Sequence, residues 1–358
     1  MPAIPKGGTV AVTGSAGFIG SWVVRLLLDK GYRVRACVRD VNDDNRCAFL
    51  RNMPGYASGR LTLHSANLDD PGVFDDIFAG CHGVAHVSHV SNYNDQDYVK
   101  MVCDHMIESV NKSRTVGRVV VTSSIAAVIS EMDLNEIERR PTLYEDRYPD
   151  ELNERRTPDR QGYSMGKVLA QRTFSDAAEE SGGEWDAITV CPADNVGPIQ
   201  SAHQKDMGPW QHNVEMMLTG KYFQNGVYRP WMTVDVRDDA LCHIGVLESV
   251  FAKNGERYIA WSTDTPKVEE ICAMIDEILP EIGHATPEVT DNHPERHQAR
   301  EAEFRGIWAK ADLRNDRIRD LIGIEFRPFE VSLRDCVESL LAVAKVKPVL
   351  REGFSHHI

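Results

Sequence analysis

Two short stretches of the chain carry side chains whose types and spacing suit proton transfer. Tyr163-Ser164-Met165-Gly166-Lys167 sets a phenol and an ammonium four residues apart. On a helix both project from one face into one cleft. A lysinium beside a phenol stabilises the phenolate, lowering its pKa from about 10 toward a value useful near neutrality. Upstream, Thr122-Ser123-Ser124 closes an apolar run, RVVVTS. Ser124 is the candidate hydroxyl for hydrogen-bonding a substrate carbonyl, with Ser123 turned toward a bound cofactor.

A third stretch supplies phosphate chemistry. Gly14-Ser15-Ala16-Gly17-Phe18-Ile19-Gly20 lies between a strand-like run and a helical apolar pattern. The first glycine makes the strand-to-helix turn, and the second lets backbone approach a pyrophosphate. The third lets helix and sheet pack closely, while the helix N-terminus offers unpaired N–H groups and a positive dipole end. In that setting the fingerprint predicts a bound dinucleotide, and Lys167 can also hydrogen-bond the nicotinamide ribose. The end of the second strand selects the dinucleotide: an acid grips the ribose 2′-OH of NAD, an Arg the 2′-phosphate of NADP. Here Arg39 stands at the strand end and Arg46 follows in the loop. The two arginines favour NADP (as NADPH) over NAD, against the opposing charge of Asp40, Asp43 and Asp44 nearby.

These residues need a scaffold, and the apolar pattern predicts one. Strands are expected over 10–13, 33–38, 61–65, 83–87, 118–123 and 185–191, and helices over 18–28, 73–78, 96–113, 268–279 and 331–344. Alternation of this kind predicts an α/β protein with a Rossmann doubly wound parallel sheet. Ligands in such sheets bind outside the carboxyl ends of the strands, which is where the Ser cluster lies. Residues 1–192 are expected to form the dinucleotide-binding domain. Residues 193–358 would form mainly a smaller, mixed substrate-binding domain, with about 227–262 returning to the first. Residues 129–162 hold ten acids, six bases and three prolines. They read as a solvated surface excursion, with a lid over the active site as the alternative.

Composition sets outer limits. The 358 residues are 42% hydrophobic and 26% charged, an ordinary globular profile. A formal charge of −14 argues against a nucleic-acid or anionic-membrane surface. That charge is uneven: residues 1–60 hold nine Lys/Arg against four Asp, so the basic surplus sits where phosphates are expected. The eight cysteines form no CxxC pair, no secretory h-region opens the chain, and no apolar run reaches 18 residues. Free thiols and a cytoplasmic location are the expectation. His86 and His89, three apart at a strand end, suit two directions better than one metal. His293 and His297, though at i, i+4 spacing, sit in HPERH, which does not match HExxH, so no metal is expected. His89 instead reads as facing the substrate.

The motifs together resemble the extended short-chain dehydrogenase/reductases, and within them the dihydroflavonol reductase-like branch, close to microbial aldehyde and ketone reductases. The likeness runs through VTGSAGFIGSWVVRLLLDKGYRVRACVRD, LTLHSANLDDPGVFDDIFAGCHGVAHVSHV, RVVVTSSIAAV, YSMGK, ITVCPADNVGP and MTVDVRDDALCHIGVLE, most of residues 8–260. The resemblance implies that Ser124, Tyr163 and Lys167 are catalytic. It implies that Gly14, Gly17, Phe18, Ile19, Gly20, Arg39, Arg46, Val87, Ser88 and Pro192 line the cofactor, with Asn67 and Leu68 flanking the adenine.

The chain also departs from that pattern. The helix before the fifth strand, KMVCDHMIESV, lacks the family's Asn-Gly pair, and HVSHVSNYND stands where an Ala-Thr/Ser-Pro type segment is usual. Substrate identity is therefore not inherited from the flavonoid enzymes. The function expected is NADPH-dependent reduction of an aldehyde or ketone to an alcohol by hydride transfer, with Tyr163 as proton donor. The alternatives are an NAD-retaining sugar-nucleotide epimerase or dehydratase, and a non-catalytic dinucleotide sensor that regulates a partner. The expected partner is a small-molecule carbonyl substrate, for a monomer or homodimer.

Overall fold

Seven short segments rich in Val, Ile and Ala form one parallel sheet in the computed structural model, which describes residues 4–149, 162–222, 232–262, 266–292 and 295–350. The chain divides into two compact units, Met1–Pro192 with Arg237–Ala260 and Asp312–Glu325, and Ala193–Val236 with Trp261–Ala311 and Phe326–Ile358.

The first unit is built by alternation. In chain order it contains β1 (Thr9–Thr13), α1 (Phe18–Asp29), β2 (Arg33–Val38), α2 (Asp44–Arg51), β3 (Leu61–Ser65), α3 (Asp75–Phe78), β4 (Gly83–His86), α4 (Gln96–Ser113) and β5 (Arg118–Thr122). Then come a small strand β6 (Thr142–Leu143), the long helix α5 (Gly162–Glu180) and β7 (Asp186–Pro192). In the second unit lie β8 (Asp194–Val196), α6 (Pro209–Leu218) and β9 (Thr233–Asp235); α7 (Val236–Glu248) and β10 (Arg257–Ala260) return the chain to the first sheet. The sheet order is β10-β7-β5-β4-β1-β2-β3, every pair parallel. β4, β5, β7 and β10 are buried at every position, as strands covered on both faces must be. One layer packs Phe74, Phe78, Val99, Val102, Met106 and Phe174 against them.

One buried ion pair ties the amino ends of the central strands. Arg118 opens β5 and Asp186 opens β7; the guanidinium donates to both carboxylate oxygens at 2.8 Å. The same side chain donates to the carbonyls of Val246, Ser249 and Ala252, closing the carboxyl end of α7 onto the sheet. Fully buried charge survives because every N–H of that head except those shared with Asp186 meets a carbonyl.

Three departures from the sequence pattern are informative. β10 (RYIA) is too short, and α2 (DNRCAFLR) buries too few positions, for periodicity to reveal them. Residues 129–149 are not a solvated excursion: Ile129, Leu134, Ile137 and Leu143 are buried, and so are Glu145 and Arg147. Arg257 of β10 donates to the carbonyls of Ala127, Glu145 and Arg147, and β6 pairs with β11 (Asp312–Leu313). Charge content misled because these charges meet partners inside the fold; Arg147 lies 3.6 Å from Glu136. The remaining part of the excursion, 150–161, lies outside the described residues, and the lid reading of it with them.

The second unit pairs β8 with β9 and packs α6 on α11 (Phe329–Ala342); it also contains α8 (Val268–Glu281) and α9 (Glu295–Trp308), while α10 (Asp316–Ile322) belongs to the first. Trp210 stacks edge-on with Phe329 at 5.2 Å. Trp210, Met216, Met217, Tyr222 and Phe223 read from the sequence equally as core or substrate wall; the first four are buried, and Phe223 lies outside the described residues.

Candidate active site

The site starts where β1 runs into the glycine loop. Gly14 has φ +67°, and a Cβ there would lie 3.0 Å from Ser88 Cα. Only glycine lets the loop turn and the end of β4 come so close. A Cβ on Gly20 would lie 2.2 Å from the Gly14 carbonyl oxygen, so α1 can pack onto its own entry loop only without one. Gly17 precedes α1, whose first turn holds no acid and no side-chain cap. Without a side-chain cap, the amides that open α1 are the groups an anion would meet; Phe18 is buried and Ile19 half-buried.

Thr13, last in β1, joins this loop to β4. Its hydroxyl accepts from the Val87 and Ser88 amides, both at 3.1 Å, and lies 3.0 Å from His86 Nδ1. The hydroxyl proton is then free to go to His86. Burial, with a smaller push from Lys167, lowers the His86 pKa to about 3, so this ring is a neutral acceptor. It packs on Phe174 at 5.5 Å.

At the end of β2 the nearby acids are occupied locally. Asp40 accepts from the Asn42 amide at 2.9 Å, Asp44 pairs with Arg51, and Asp43 lies 3.6 Å from Arg46. Arg39 is exposed and makes no hydrogen bond or ion pair with a described residue. Arg39 is thus unengaged among the described residues, while Arg46 stands beside Asp43. Asn67 and Leu68 follow β3, both half-buried; Leu68 leans on the core, and the Asn67 carbonyl accepts from Asp70.

The chemistry gathers at the end of β5. Lys167, one turn into α5 and 5% exposed, donates from Nζ to the Thr122 carbonyl at 2.9 Å. Its ammonium lies 5.6 Å from the centre of the Tyr163 ring, as the four-residue spacing requires. Tyr163 remains 39% exposed, reachable by a ligand. Ser123 is buried, and its Oγ has no partner among the described residues. Such an orphan hydroxyl is costly unless a ligand group meets it. Ser124 caps the short 3-10 turn Ile125–Ala127, accepting from the Ala126 amide at 3.1 Å. Since that bond uses an acceptor lone pair, the Ser124 proton stays free to donate. α5 packs on this turn. Pro192 closes β7 beside Ala260.

Val87, Ser88 and His89 continue from β4. His89 stacks on Tyr163, with ring centres 5.8 Å apart and planes 14° apart. Burial and then the Lys167 charge lower its pKa. His86 bonds to Thr13 while His89 stacks on Tyr163, so the two rings serve different partners. His293 lies outside the described residues, as does the side chain of His297.

Two groups escaped the sequence reading. Thr122 Oγ1 meets His243 Nε2 at 2.7 Å, and His243 Nδ1 meets the Asp239 carbonyl at 2.8 Å. Burial lowers the His243 pKa, but Asp239 outweighs it and the net shift is upward. The Asp239/His243 spacing of four within α7 was a visible signal. Tyr93, in the loop after β4, carried none.

The glycine cradle and the orphaned Ser123 hydroxyl fit a dinucleotide. The fold and this site define a Rossmann-type protein with a Ser-Tyr-Lys constellation. The chain matches the model of the NAD dependent epimerase/dehydratase family over residues 10–260. It belongs to that family, the extended short-chain dehydrogenase/reductases, on the dihydroflavonol reductase-like branch. Cinnamoyl-CoA reductase CAD2 of Medicago truncatula is 30% identical over 95% of this chain and 98% of its own. Dihydroflavonol 4-reductase of Hordeum vulgare is 32% identical over 76% of each. Among solved structures, vestitone reductase from alfalfa superposes with a TM-score of 0.70 at 24% identity, covering 93% of this chain and 98% of that one. Yeast methylglyoxal/isovaleraldehyde reductase Gre2, complexed with NADPH, gives 0.70 at 21%, over 93% and 98%. These structural likenesses speak for the fold. Among the described residues, no helix is long and apolar enough to cross a membrane.

Proposed function

We propose that this protein reduces an aldehyde or ketone to an alcohol with NADPH. Oxidoreductase chemistry with a nicotinamide cofactor is what family membership and the reductases named above support. The observation that carries the finer reading is the arrangement at the end of β5. A free Ser124 proton, an exposed Tyr163 phenol and a buried Lys167 cation converge on one strand end.

Gly17 admits the pyrophosphate to the start of α1, beside Phe18 and Ile19, with Gly14 turning the loop and Gly20 letting the helix pack on it. Arg39, joined by Arg46, takes the 2′-phosphate, while Asn67 and Leu68 flank the adenine. Val87, Ser88, Ser123 and Pro192 border the nicotinamide half. When bound, NADPH supplies the hydride. Ser124 donates a hydrogen bond to the carbonyl oxygen, holding it where negative charge develops. Tyr163 gives its phenolic proton to that oxygen, and the adjacent Lys167 ammonium stabilises the phenolate left behind. Lys167 also donates to the nicotinamide ribose, while its bond to Thr122 fixes its direction. His89 lies against Tyr163, where it touches the substrate.

The test is NADPH consumption against a panel of aldehydes and ketones, repeated with NADH. Turnover with NADPH, well above that with NADH, supports the reading. NAD that stays tightly bound through purification would favour an epimerase or dehydratase instead.

A further inference from the structure

Tyr93 lies where three residues of the site meet. Its ring centre is 4.8 Å from Lys167 Nζ, and its edge-on contacts put it 4.9 Å from the Tyr163 ring and 4.6 Å from His89. The side chain is buried, and burial raises its pKa, so it stays a neutral phenol. Helix α5 sets this closeness. A Cβ on Gly166 would fall 2.5 Å from the Tyr93 carbonyl oxygen and 2.9 Å from its Cβ. Glycine at 166 therefore lets the loop seat directly against the turn that carries Tyr163 and Lys167.

We propose that Tyr93 is a positioning residue for carbonyl reduction, holding the Lys167 ammonium against its ring and the Tyr163 phenol against its edge. The proposal rests on the reductase reading of this site. A buried ammonium with one carbonyl partner is short of solvation, and an aromatic face returns part of it. The ring thereby keeps the cation beside the phenol it must assist. The other titratable groups around Lys167 do not supply that function. His86 at the end of β4 and His89 after it are both shifted toward the neutral form. The Cys103 thiol on α4 is pushed up to about 12, chiefly by burial. Both ring nitrogens of His243 are engaged elsewhere, by the Thr122 hydroxyl and the Asp239 carbonyl.

Three variants of the full chain test this. Tyr93→Leu removes the aromatic face, Tyr93→Phe keeps it, and Gly166→Ala displaces the loop from the helix side. Two readouts are taken: kcat against pH, and the ultraviolet phenolate titration of Tyr163. The latter is the difference between each protein and the same protein carrying Tyr163→Phe. In the Leu and Ala variants kcat is expected to fall about tenfold with KM for NADPH little changed. The Tyr163 midpoint is expected to rise by about one pH unit. Tyr93→Phe is expected to restore both. A Leu variant with unchanged kcat and midpoint, or a loss that Phe does not rescue, would overturn the proposal. The titration needs no substrate. A shifted midpoint in a protein that reduces no carbonyl would keep the Tyr93 contact and remove the reductase reading.

Discussion

Lys167 Nζ donates to the Thr122 carbonyl at 2.9 Å, so the helix that carries the phenol is tied to the end of the strand that carries the serines. This bond turns a sequence spacing into a site. It commits one ammonium proton to the scaffold and leaves the others for a ribose and for the electrostatics of Tyr163. Lys167→Met is expected to lower kcat by on the order of 100-fold, the scale of a lost acid–base group. NADPH affinity should weaken as well, through the lost ribose contact. Stopped-flow binding with steady-state kinetics checks both.

Arg39 is exposed and unengaged at the end of β2, while Asp40 is turned to Asn42. Arg39→Gln is expected to raise KM for NADPH by about tenfold or more, the worth of a charge-assisted phosphate contact. KM for NADH should be nearly unchanged. Equal losses with both cofactors would mean that Arg39 supports the loop and does not read the 2′-phosphate.

His86 gives the fold an acid sensitivity. Its pKa in the folded protein is about 3, against about 6.5 when unfolded. Between those values the unfolded chain takes up a proton that the folded one refuses. Stability is therefore whole above pH 6.5 and falls as pH drops toward 3, by up to about 1.4 kcal/mol per unit from this group. Urea midpoints across this window check it: His86→Leu is expected to flatten the slope, even if less stable at pH 7.

Breaking the Arg118–Asp186 pair leaves a buried charge alone. Asp186→Asn or Arg118→Leu is expected to cost roughly 3–5 kcal/mol of stability, read from chemical unfolding. Both residues open their strands, at the end of the sheet away from the site. At temperatures where the variants stay folded, KM for NADPH is expected to be unchanged.

Much of this was legible in the residues because it depends on local spacing. Two strands and α4 fall at the expected bounds, since apolar runs bounded by small polar residues leave little choice. The glycine loop and the Tyr163/Lys167 spacing likewise fix which side chains share a turn. What could not be read depends on contacts between distant segments. Tyr93 reaches Lys167 only because Gly166 lacks a Cβ, and His243 reaches Thr122 only once α7 lies against β5. The 129–149 segment looked solvated because composition counts charges without their partners; Arg317, more than a hundred residues later, pairs with Glu145 and Asp146, and Arg257 ties down the backbone carbonyls.

The most direct test of the account is the comparison of wild type with Tyr163→Phe in NADPH-dependent carbonyl reduction, with NADPH binding measured in parallel. Wild type is expected to turn over at least one aldehyde or ketone. In the variant turnover is expected to fall by on the order of 100-fold or more, with NADPH affinity essentially retained. Unchanged turnover in the Phe variant would contradict the account.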